Sequence, residues 1–335
     1  CNYKQRRTIM KNKNLLTPKI KRYLVTGGAG FIGSHLCKRL LDEGHHVTCV
    51  DNFYNGNLNN IRGLFNSKNF YFVEEDILNF DKIRELAKGC DHIFHLAAQI
   101  HVEKSIIRPT ETMEINLQGT KNLLEICTQY KEISMTLASS AEVYGEKPGA
   151  HSESSPINPQ SPYAASKVAA ESLCISYYYT YGSNVRVIRN FNTFGPRQKS
   201  SGYGSVISIF CRRALDNKPL IIYGDGQQTR DYQYIDDAID GYILSEDLPA
   251  GEIINTGFGI DHKIVDIAET IINICDSDST VVFAEPRPGE VHKLRSNIDK
   301  LKGFGFEPKY TLREGLEQYI EWLQKYDLDS LGVMK

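Results

Sequence analysis

A tyrosine and a lysine four residues apart form the clearest reactive pair in the chain. Tyr163 and Lys167 stand in the run SPYAASK, and side chains four apart share one face of a helix. Ser161 is placed to cap that helix, with Pro162 at its first position. We expect the charge of Lys167 to lower the pKa of the Tyr163 phenol, which makes the phenol a usable base near neutral pH. The pair therefore predicts removal of a proton from an alcohol.

A second group of polar residues stands in the run SSAEVYG, which follows a predicted strand. Ser140 is expected at the carboxyl edge of a parallel sheet, where ligands bind, and it can share a proton with the substrate and Tyr163. Glu142 stands two residues further on. Two interpretations of Glu142 stay open, because a carboxylate there can act as a base or can supply only a supporting hydrogen bond.

A glycine-rich turn follows the first predicted strand and opens the first predicted helix. Gly27, Gly30 and Gly33 have GxxGxxG spacing, a variant of the dinucleotide fingerprint, and they flank Phe31 and Ile32. Glycines at this place let backbone N–H groups and the helix N-terminus approach a pyrophosphate. The turn therefore predicts a dinucleotide site.

An acidic residue ends the second predicted strand, where the adenosine ribose of a dinucleotide would bind. Asp51, followed by Asn52, can accept a hydrogen bond from the ribose 2′-hydroxyl and would repel a 2′-phosphate. Asp76 and Ile77 follow the third predicted strand and are expected near the adenine. The pattern favours NAD over NADP, so NAD is the predicted cofactor.

Short apolar segments alternate with helical patterns, as is typical of a parallel sheet covered by helices on both faces. The predicted fold class is α/β, a Rossmann-type doubly wound parallel sheet with a smaller C-terminal substrate-binding region. Residues 1–20 are predicted to be a disordered leader and 21–190 an NAD-binding domain that includes the Tyr–Lys helix. Residues 191–335 are mainly a substrate-binding region, interleaved with late sheet elements. The predicted strands include 23–26, 47–50, 70–73, 92–97 and 133–139, and the predicted helices include 34–43, 82–88, 116–130 and 310–326.

Taken together, the motifs resemble the extended short-chain dehydrogenase/reductase family of NAD-dependent sugar-nucleotide epimerases and dehydratases. The resemblance extends from about residue 22 to residue 325 and keeps the order of the family's motifs. The motifs that carry it are TGGAGFIG from Thr26, Asp51-Asn52, HLAA from His95, SSAEVYG, SPYAASK, RNFN from Arg189, GPR from Gly195, GDG from Gly224 with RDY from Arg230, and RPG from Arg287.

The resemblance implies roles for individual residues. The expected catalytic group is Ser140, Tyr163 and Lys167, with Glu142 as a further candidate. Expected cofactor contacts beyond those named above are Leu96, Ala97 and Ala98, together with Tyr163 and Lys167. Expected contacts to a nucleotide-sugar substrate are Ser140, Asn192, Arg230 and Arg287, since arginines suit bidentate binding of a diphosphate. Tight NAD binding and a homodimer formed through a helix bundle that includes the Tyr–Lys helix are also implied.

Members of this family oxidise C4 of the sugar and then diverge. A 4-epimerase returns the hydride to the other face, a 4,6-dehydratase removes the C5 proton and expels the C6 hydroxyl, and a decarboxylase releases carbon dioxide from a uronic acid. Dehydratases have an Asp-Glu pair where this chain has Ala141 and Glu142, and alanine cannot donate a proton. The stretches NPQSPYAASK and GPRQKSSGYGSVISIF look most like hexose 4-epimerases that act on UDP-sugars. A 4-epimerase is the leading interpretation, and a dehydratase, decarboxylase or 5-epimerase that uses Glu142 stays open.

Bulk composition fits a globular enzyme and argues against other classes. The 335 residues are 41% hydrophobic and 24% charged, with a net charge of −2, whereas a nucleic-acid binder needs a basic surplus. No apolar run approaches the roughly 20 residues that span a bilayer. Eight scattered cysteines without a CxxC pair favour reduced thiols in a cytoplasm and argue against a metal site. His92 and His95 also invite a metal interpretation, but both fall on a predicted buried strand.

Two other function classes are less favoured than an enzyme that recycles its NAD. A non-catalytic NAD-binding protein on the same fold would be expected to have lost the Tyr–Lys pair, which is intact here. A net reductase would consume its nicotinamide cofactor steadily, whereas an epimerase or a dehydratase recycles it.

Overall fold

The main sheet contains seven parallel strands. The computed structural model describes residues 19–200, 205–286 and 292–326. In chain order the strands are β1 (Arg22–Thr26), β2 (His46–Asp51), β3 (Phe70–Glu74), β4 (His92–His95), β5 (Ser134–Ser140), β6 (Val185–Asn190) and β10 (Ile253–Thr256). Their spatial order is β10-β6-β5-β4-β1-β2-β3. The order reverses between β1 and β4, which opens a ligand-binding crevice at the carboxyl ends of the strands.

Helices cover both faces of this sheet. They are α1 (Phe31–Asp42), α2 (Phe80–Ala87), α3 (Val102–Ile107), α4 (Pro109–Met113), α5 (Gly119–Gln129), α6 (Pro162–Tyr181), α7 (Val206–Leu215), α8 (Ile235–Ser245), α9 (Ile264–Cys275), α10 (Asp299–Gly303) and α11 (Leu312–Lys325). On one face, Leu36 of α1 and Ile239 of α8 belong to the same buried core as Phe94. On the other face, Leu123 of α5 shares a second core with Leu24. Burial on both faces explains why the central strands are mostly apolar rather than alternating.

The second half of the chain forms two smaller sheets. One consists of β7 (Asn192–Phe194), β9 (Thr229–Tyr234), β11 (Asp261–Lys263) and β13 (Lys293–Leu294), and the other of β8 (Leu220–Tyr223) and β12 (Val281–Ala284). Strand β10 returns to the main sheet, beside β6. The second half therefore supplies both a separate lobe and one edge of the main sheet.

The predicted α/β class with a doubly wound parallel sheet is confirmed by the strand order. Some predicted boundaries were wrong. Helix α1 begins at Phe31 rather than at residue 34, because Gly30 already occupies the N-cap position. The helix predicted from residue 116 starts with a π-helical turn, Glu114–Gln118, before α5. Strand β4 ends at His95, and the rest of the HLAA motif lies in the loop that follows.

Candidate active site

The Tyr–Lys helix begins beside the carboxyl end of β5, which brings three predicted catalytic residues together. The Ser161 side chain caps α6 by accepting a hydrogen bond from the Ala164 N–H, and Pro162 takes the first helical position, as predicted. Tyr163 is thereby held against Ser140, the last residue of β5, which forms a hydrogen bond to the phenol. Lys167 follows one turn later, with its Nζ 5.9 Å from the Tyr163 ring centroid.

Burial dominates the electrostatics of this trio. It raises the pKa of Tyr163 to about 12, although the hydrogen bond from Ser140 lowers it, and the nearby Glu142 charge raises it further. Burial also lowers the pKa of Lys167 to about 8, partly offset by Glu171. Loss of hydration thus leaves the phenol pKa above its ordinary value in this structure. The lowering expected from the Lys167 charge stays a prediction.

One cavity at the carboxyl edge of the sheet collects every residue predicted to contact the cofactor. It runs from the glycine turn past the ends of β2 and β3 to the Tyr–Lys helix. The predicted residues that line it are Gly27, Gly30, Phe31, Ile32, Gly33, Asp51, Asn52, Asp76, Ile77, Leu96, Ala97, Ala98, Tyr163 and Lys167. The structure thus brings the set together, and the contacts that each would make to NAD remain predictions.

Local features of the cavity fit a dinucleotide. No side chain caps the N-terminus of α1, and its first turn has no acidic residue, so its N–H groups can receive a phosphate. A Cβ on Gly33 would come within 2.2 Å of the Gly27 carbonyl oxygen, so only glycine permits this tight turn. Asp51 is buried at the end of β2, and burial raises its pKa. Its Oδ2 accepts a hydrogen bond of 3.0 Å from the Ala29 N–H in the glycine turn.

A second, adjoining cavity shares Ser140 with the first and extends toward β7. Asn192 lines it, and the Asn192 Nδ2 is buried without a hydrogen-bond partner, as expected of a group that meets a ligand. Glu142 also lines this cavity, and burial raises the pKa of its carboxyl group, while the charge of Arg230 lowers it. The position fits a substrate that reaches from Ser140 toward the second half of the chain.

Of the two arginines predicted to bind the substrate, the structure describes only Arg230. Arg230, the second residue of β9, is close enough to Glu142 to lower the pKa of that carboxyl group. Its Nη1 donates a hydrogen bond of 2.9 Å to the Thr229 carbonyl oxygen. Arg287 lies outside the described residues.

Sequence reasoning missed a polar bridge beneath the cofactor cavity. Asn116, in the π-helical turn, accepts a hydrogen bond from the Gln99 N–H at 2.7 Å and donates to the Gln99 carbonyl oxygen at 3.0 Å. It also donates to the Ser166 hydroxyl on α6 at 2.8 Å. The bridge joins the loop after β4 to the Tyr–Lys helix. The sequence contained a signal for this bridge, because Asn116 interrupts the helical pattern of apolar residues in this segment.

Histidine and cysteine positions agree with structural roles. His95 is 1% exposed and contacts the Thr26 hydroxyl at 2.8 Å and the Thr120 hydroxyl at 3.1 Å. Within the residues that the structure describes, no group of histidine, cysteine, aspartate and glutamate side chains is arranged to hold a metal ion. The same part of the chain contains no helix long and apolar enough to cross a bilayer.

The chain is similar to proteins of known class over most of its length. The family described as GDP-mannose 4,6 dehydratase matches residues 24–319. A UDP-glucose 4-epimerase from Mycolicibacterium smegmatis is 36% identical over 90% of this chain and 98% of its own length. A UDP-N-acetyl-alpha-D-glucosaminuronate decarboxylase from Bacillus cytotoxicus is 36% identical over 92% of this chain and 99% of its own.

A solved structure adds the cofactor. The dTDP-glucose 4,6-dehydratase of Bacillus anthracis, in complex with NAD, superposes with a TM-score of 0.84. It is 32% identical and covers 93% of this chain and 99% of its own. NAD is the cofactor of the family, and the lining of the first cavity fits it. The chain belongs to the extended short-chain dehydrogenase/reductase family of NAD-dependent sugar-nucleotide epimerases and dehydratases, and it is an enzyme of that family.

Proposed function

We propose that this enzyme is a sugar-nucleotide 4-epimerase that acts on a UDP-sugar through a transient 4-keto intermediate. The proposal rests on the composition of the second cavity. Among the described residues that line it, Glu142 is the only carboxylic acid, and Ala141 occupies the preceding position. A 4,6-dehydratase must protonate the departing C6 hydroxyl, and Ala141 has no proton to give. Epimerisation needs no such acid.

The residues at the junction of the two cavities support the required proton movements. Tyr163 takes the proton of the C4 hydroxyl as the hydride leaves C4. Ser140 forms a hydrogen bond to the phenol and stabilises the C4 oxygen of the sugar as it loses its proton. NAD held in the first cavity would supply the hydride acceptor for this step and the hydride donor for its reversal. After the 4-keto sugar turns over, the hydride reaches the opposite face of C4 and Tyr163 gives its proton back. The Lys167 charge stabilises the phenolate form while the proton is away.

The residues near the second cavity also suggest how the nucleotide is held. Asn192 offers an unpartnered amide, and Arg230 brings a positive charge to the same region. Arginine suits a diphosphate because its guanidinium donates two parallel hydrogen bonds. We assign Asn192, Arg230 and Arg287 to the diphosphate of the substrate. A UDP-sugar is the substrate class named for the epimerase and decarboxylase relatives, which supports uracil as the base.

The products identify the reaction. Purified enzyme is incubated without added reductant with UDP-glucose, UDP-N-acetylglucosamine or UDP-glucuronate, and products are analysed by mass spectrometry and proton NMR. We expect one substrate to give an isomer of unchanged mass that is inverted at C4. Loss of water or of carbon dioxide would refute the 4-epimerase proposal.

C5 chemistry is the second candidate, and the environment of Glu142 favours it. Burial raises the pKa of this carboxyl group, which makes its carboxylate a stronger base beside the sugar. A dehydratase, a decarboxylase or a 5-epimerase would use it. Substituting Glu142→Gln keeps the shape and removes the base. If the enzyme is a 4-epimerase, Glu142→Gln should keep turnover within about threefold of wild type. If Glu142 is a catalytic base, the same substitution should lower turnover roughly 100-fold or more.

We further infer that the enzyme forms a homodimer through the outer surface of α6 and its neighbours. Tyr179 on α6 is 80% exposed, and Ile106 and Ile107 on α3, which packs against α6, are 63% and 73% exposed. Large exposed apolar side chains on adjacent helices are typical of an interface. Light scattering on the purified protein should give the mass of two chains. The cytoplasmic location stays a prediction, and the seven described cysteines, all free thiols, agree with it.

A further inference from the structure

Residues 52–57, which we call the cofactor strap, leave the end of β2 and cross the mouth of the NAD cavity. Strand β1 lies between β2 and β4 in the sheet, so the glycine turn after β1 lies between the segments that follow β2 and β4. Neighbouring strands are about 4.8 Å apart. The segments that follow β2 and β4 therefore start roughly 10 Å apart, and contacts between them pass over the glycine turn.

Asn55 makes two of these contacts. Its Nδ2 donates a hydrogen bond of 3.1 Å to the Ala98 carbonyl oxygen. Its Oδ1 lies 2.9 Å from Nε2 of His101. Asn55 and Ala98 both line the NAD cavity, from opposite walls, so these bonds join one wall directly to the other.

Tyr54 makes the other two contacts, with helices beyond the cavity. Its hydroxyl donates a hydrogen bond of 2.7 Å to Oε1 of Glu111 on α4. The Nζ of Lys104 on α3 lies 4.9 Å from the centroid of the Tyr54 ring, within the range of a cation–π interaction. Tyr54 lines the cavity, whereas Lys104 and Glu111 do not.

The two ends of the cofactor strap are hydrogen-bonded to Asp51 and to the glycine turn. At the start, the Phe53 N–H donates to Oδ1 of Asp51 at 2.8 Å, and Phe53 has a left-handed φ of +58°. At the end, the Asn57 N–H donates to the Ala29 carbonyl oxygen at 3.0 Å. A Cβ on Gly56 would lie 2.6 Å from the Asp51 carboxylate, so the strap folds directly over the ribose-binding position.

We propose that the cofactor strap is a latch that sets the rate at which NAD enters and leaves. The adenosine ribose and pyrophosphate of bound NAD would lie beneath it, so the contacts of Tyr54 and Asn55 to the far wall have to open before the cofactor can pass. An enzyme that returns the hydride within each turnover has no need to release NAD, and a closed strap suits such a cycle. The proposal depends on NAD binding and is independent of whether the sugar reacts at C4 or C5.

The test removes two of the far-wall partners, His101 and Glu111, and leaves the cavity lining intact. The open-strap variant carries His101→Ala and Glu111→Ala, since neither residue lines the NAD cavity. The matched control carries His46→Ala and Glu132→Ala, two exposed residues away from the cleft. Each holoenzyme is loaded with deuterated NAD and mixed with excess unlabelled NAD. The label retained on the protein is followed by gel filtration and mass spectrometry.

We expect the open-strap variant to exchange NAD roughly tenfold faster than the wild type, which corresponds to about 1.4 kcal/mol, while the control exchanges at the wild-type rate. An unchanged exchange rate in the open-strap variant overturns the proposal. A milder variant, Tyr54→Phe, keeps the ring beside Lys104 and removes only the bond to Glu111. If the double variant does not fold, Tyr54→Phe decides, with a roughly threefold acceleration expected from loss of one hydrogen bond. Equal exchange in Tyr54→Phe and wild type would then overturn the proposal.

Discussion

Lys167 holds its ammonium group 5.9 Å from the Tyr163 ring centroid and directs its hydrogen bond to the Ala138 carbonyl oxygen, at 2.9 Å, rather than to the phenol. The lysine therefore acts on Tyr163 through space. Both side chains are buried, Tyr163 at 8% and Lys167 at 5% exposure, so their charge interaction is little screened by water. Such a pair favours the phenolate only when the lysine is charged.

Removing the phenol oxygen should stop the chemistry and spare cofactor binding. Tyr163→Phe keeps the ring that lines the NAD cavity and deletes the group that takes the C4 proton. We expect kcat to fall by roughly 10²- to 10⁴-fold. NAD affinity, measured by titration calorimetry, should stay within about threefold, a change below 1 kcal/mol.

The matched control for Tyr163→Phe is Tyr71→Phe, since Tyr71 is 62% exposed on β3 and lines neither cavity. The control should keep wild-type turnover. Full turnover in Tyr163→Phe would contradict the role assigned to the phenol.

The buried lysine should make stability depend on pH. Burial lowers the pKa of Lys167 from 10.5 to about 8, so between those values the unfolded chain binds more protons than the folded one. The destabilisation by charged Lys167 is complete below pH 8 and disappears as pH rises toward 10.5. In urea unfolding of the apoenzyme, the stability of wild type relative to Lys167→Met should rise by about 2 kcal/mol between pH 7 and pH 9.5.

The comparison variant for this pH effect is Lys121→Met, which changes an exposed lysine on α5. Its stability relative to wild type should not change over the same pH range. If Lys167→Met behaves like Lys121→Met, Lys167 is not the buried charge described here.

The sequence predicted those parts of the site whose residues are close together in the chain. The GxxGxxG turn and the Tyr–Lys pair each stand within seven residues, and the alternation of strands and helices then fixes which edge of the sheet they share. Asn192 was placed through the resemblance alone, and so was the role of Glu142 as a C5 base.

Contacts between distant residues could not be predicted in this way. The bond from Tyr54 to Glu111 joins positions 57 apart, and the bond from Asn116 to Ser166 joins positions 50 apart. Nothing in the spacing of such residues marks them as partners. The pKa of Lys167 also could not be predicted from the sequence, because loss of hydration depends on the complete packing around the side chain.

Selection for NAD should depend on the Asp51 carboxylate. It lies where the ribose 2′-hydroxyl would bind, and its negative charge repels a 2′-phosphate. In Asp51→Ser, the affinity for NADP relative to NAD should rise roughly tenfold, or about 1.4 kcal/mol, in paired calorimetric titrations. Asp42→Ser, at an exposed position on α1, should leave the ratio unchanged. An unaltered ratio in Asp51→Ser would assign the selection to other residues.

A buried ion pair should anchor the Tyr–Lys helix to β6. Arg189 Nη2 lies 2.7 Å from Oε2 of Glu171, and both side chains are 5% exposed. Glu171→Met leaves the arginine charge without its partner and should lower the free energy of unfolding by about 3–5 kcal/mol. The double variant Glu171→Met, Arg189→Met should be more stable than Glu171→Met alone. A double variant that is less stable would show that the two side chains contribute independently.

The proposed 4-epimerase chemistry is tested most directly by turnover in deuterium oxide, with the product analysed by mass spectrometry and proton NMR. Because the hydride that leaves C4 returns to C4, the account predicts an isomer inverted at C4 that carries no deuterium on carbon. A catalytic C5 base exchanges its proton with solvent. Deuterium at C5, or loss of water or carbon dioxide from the product, would contradict the account and make Glu142 the first residue to test for C5 chemistry.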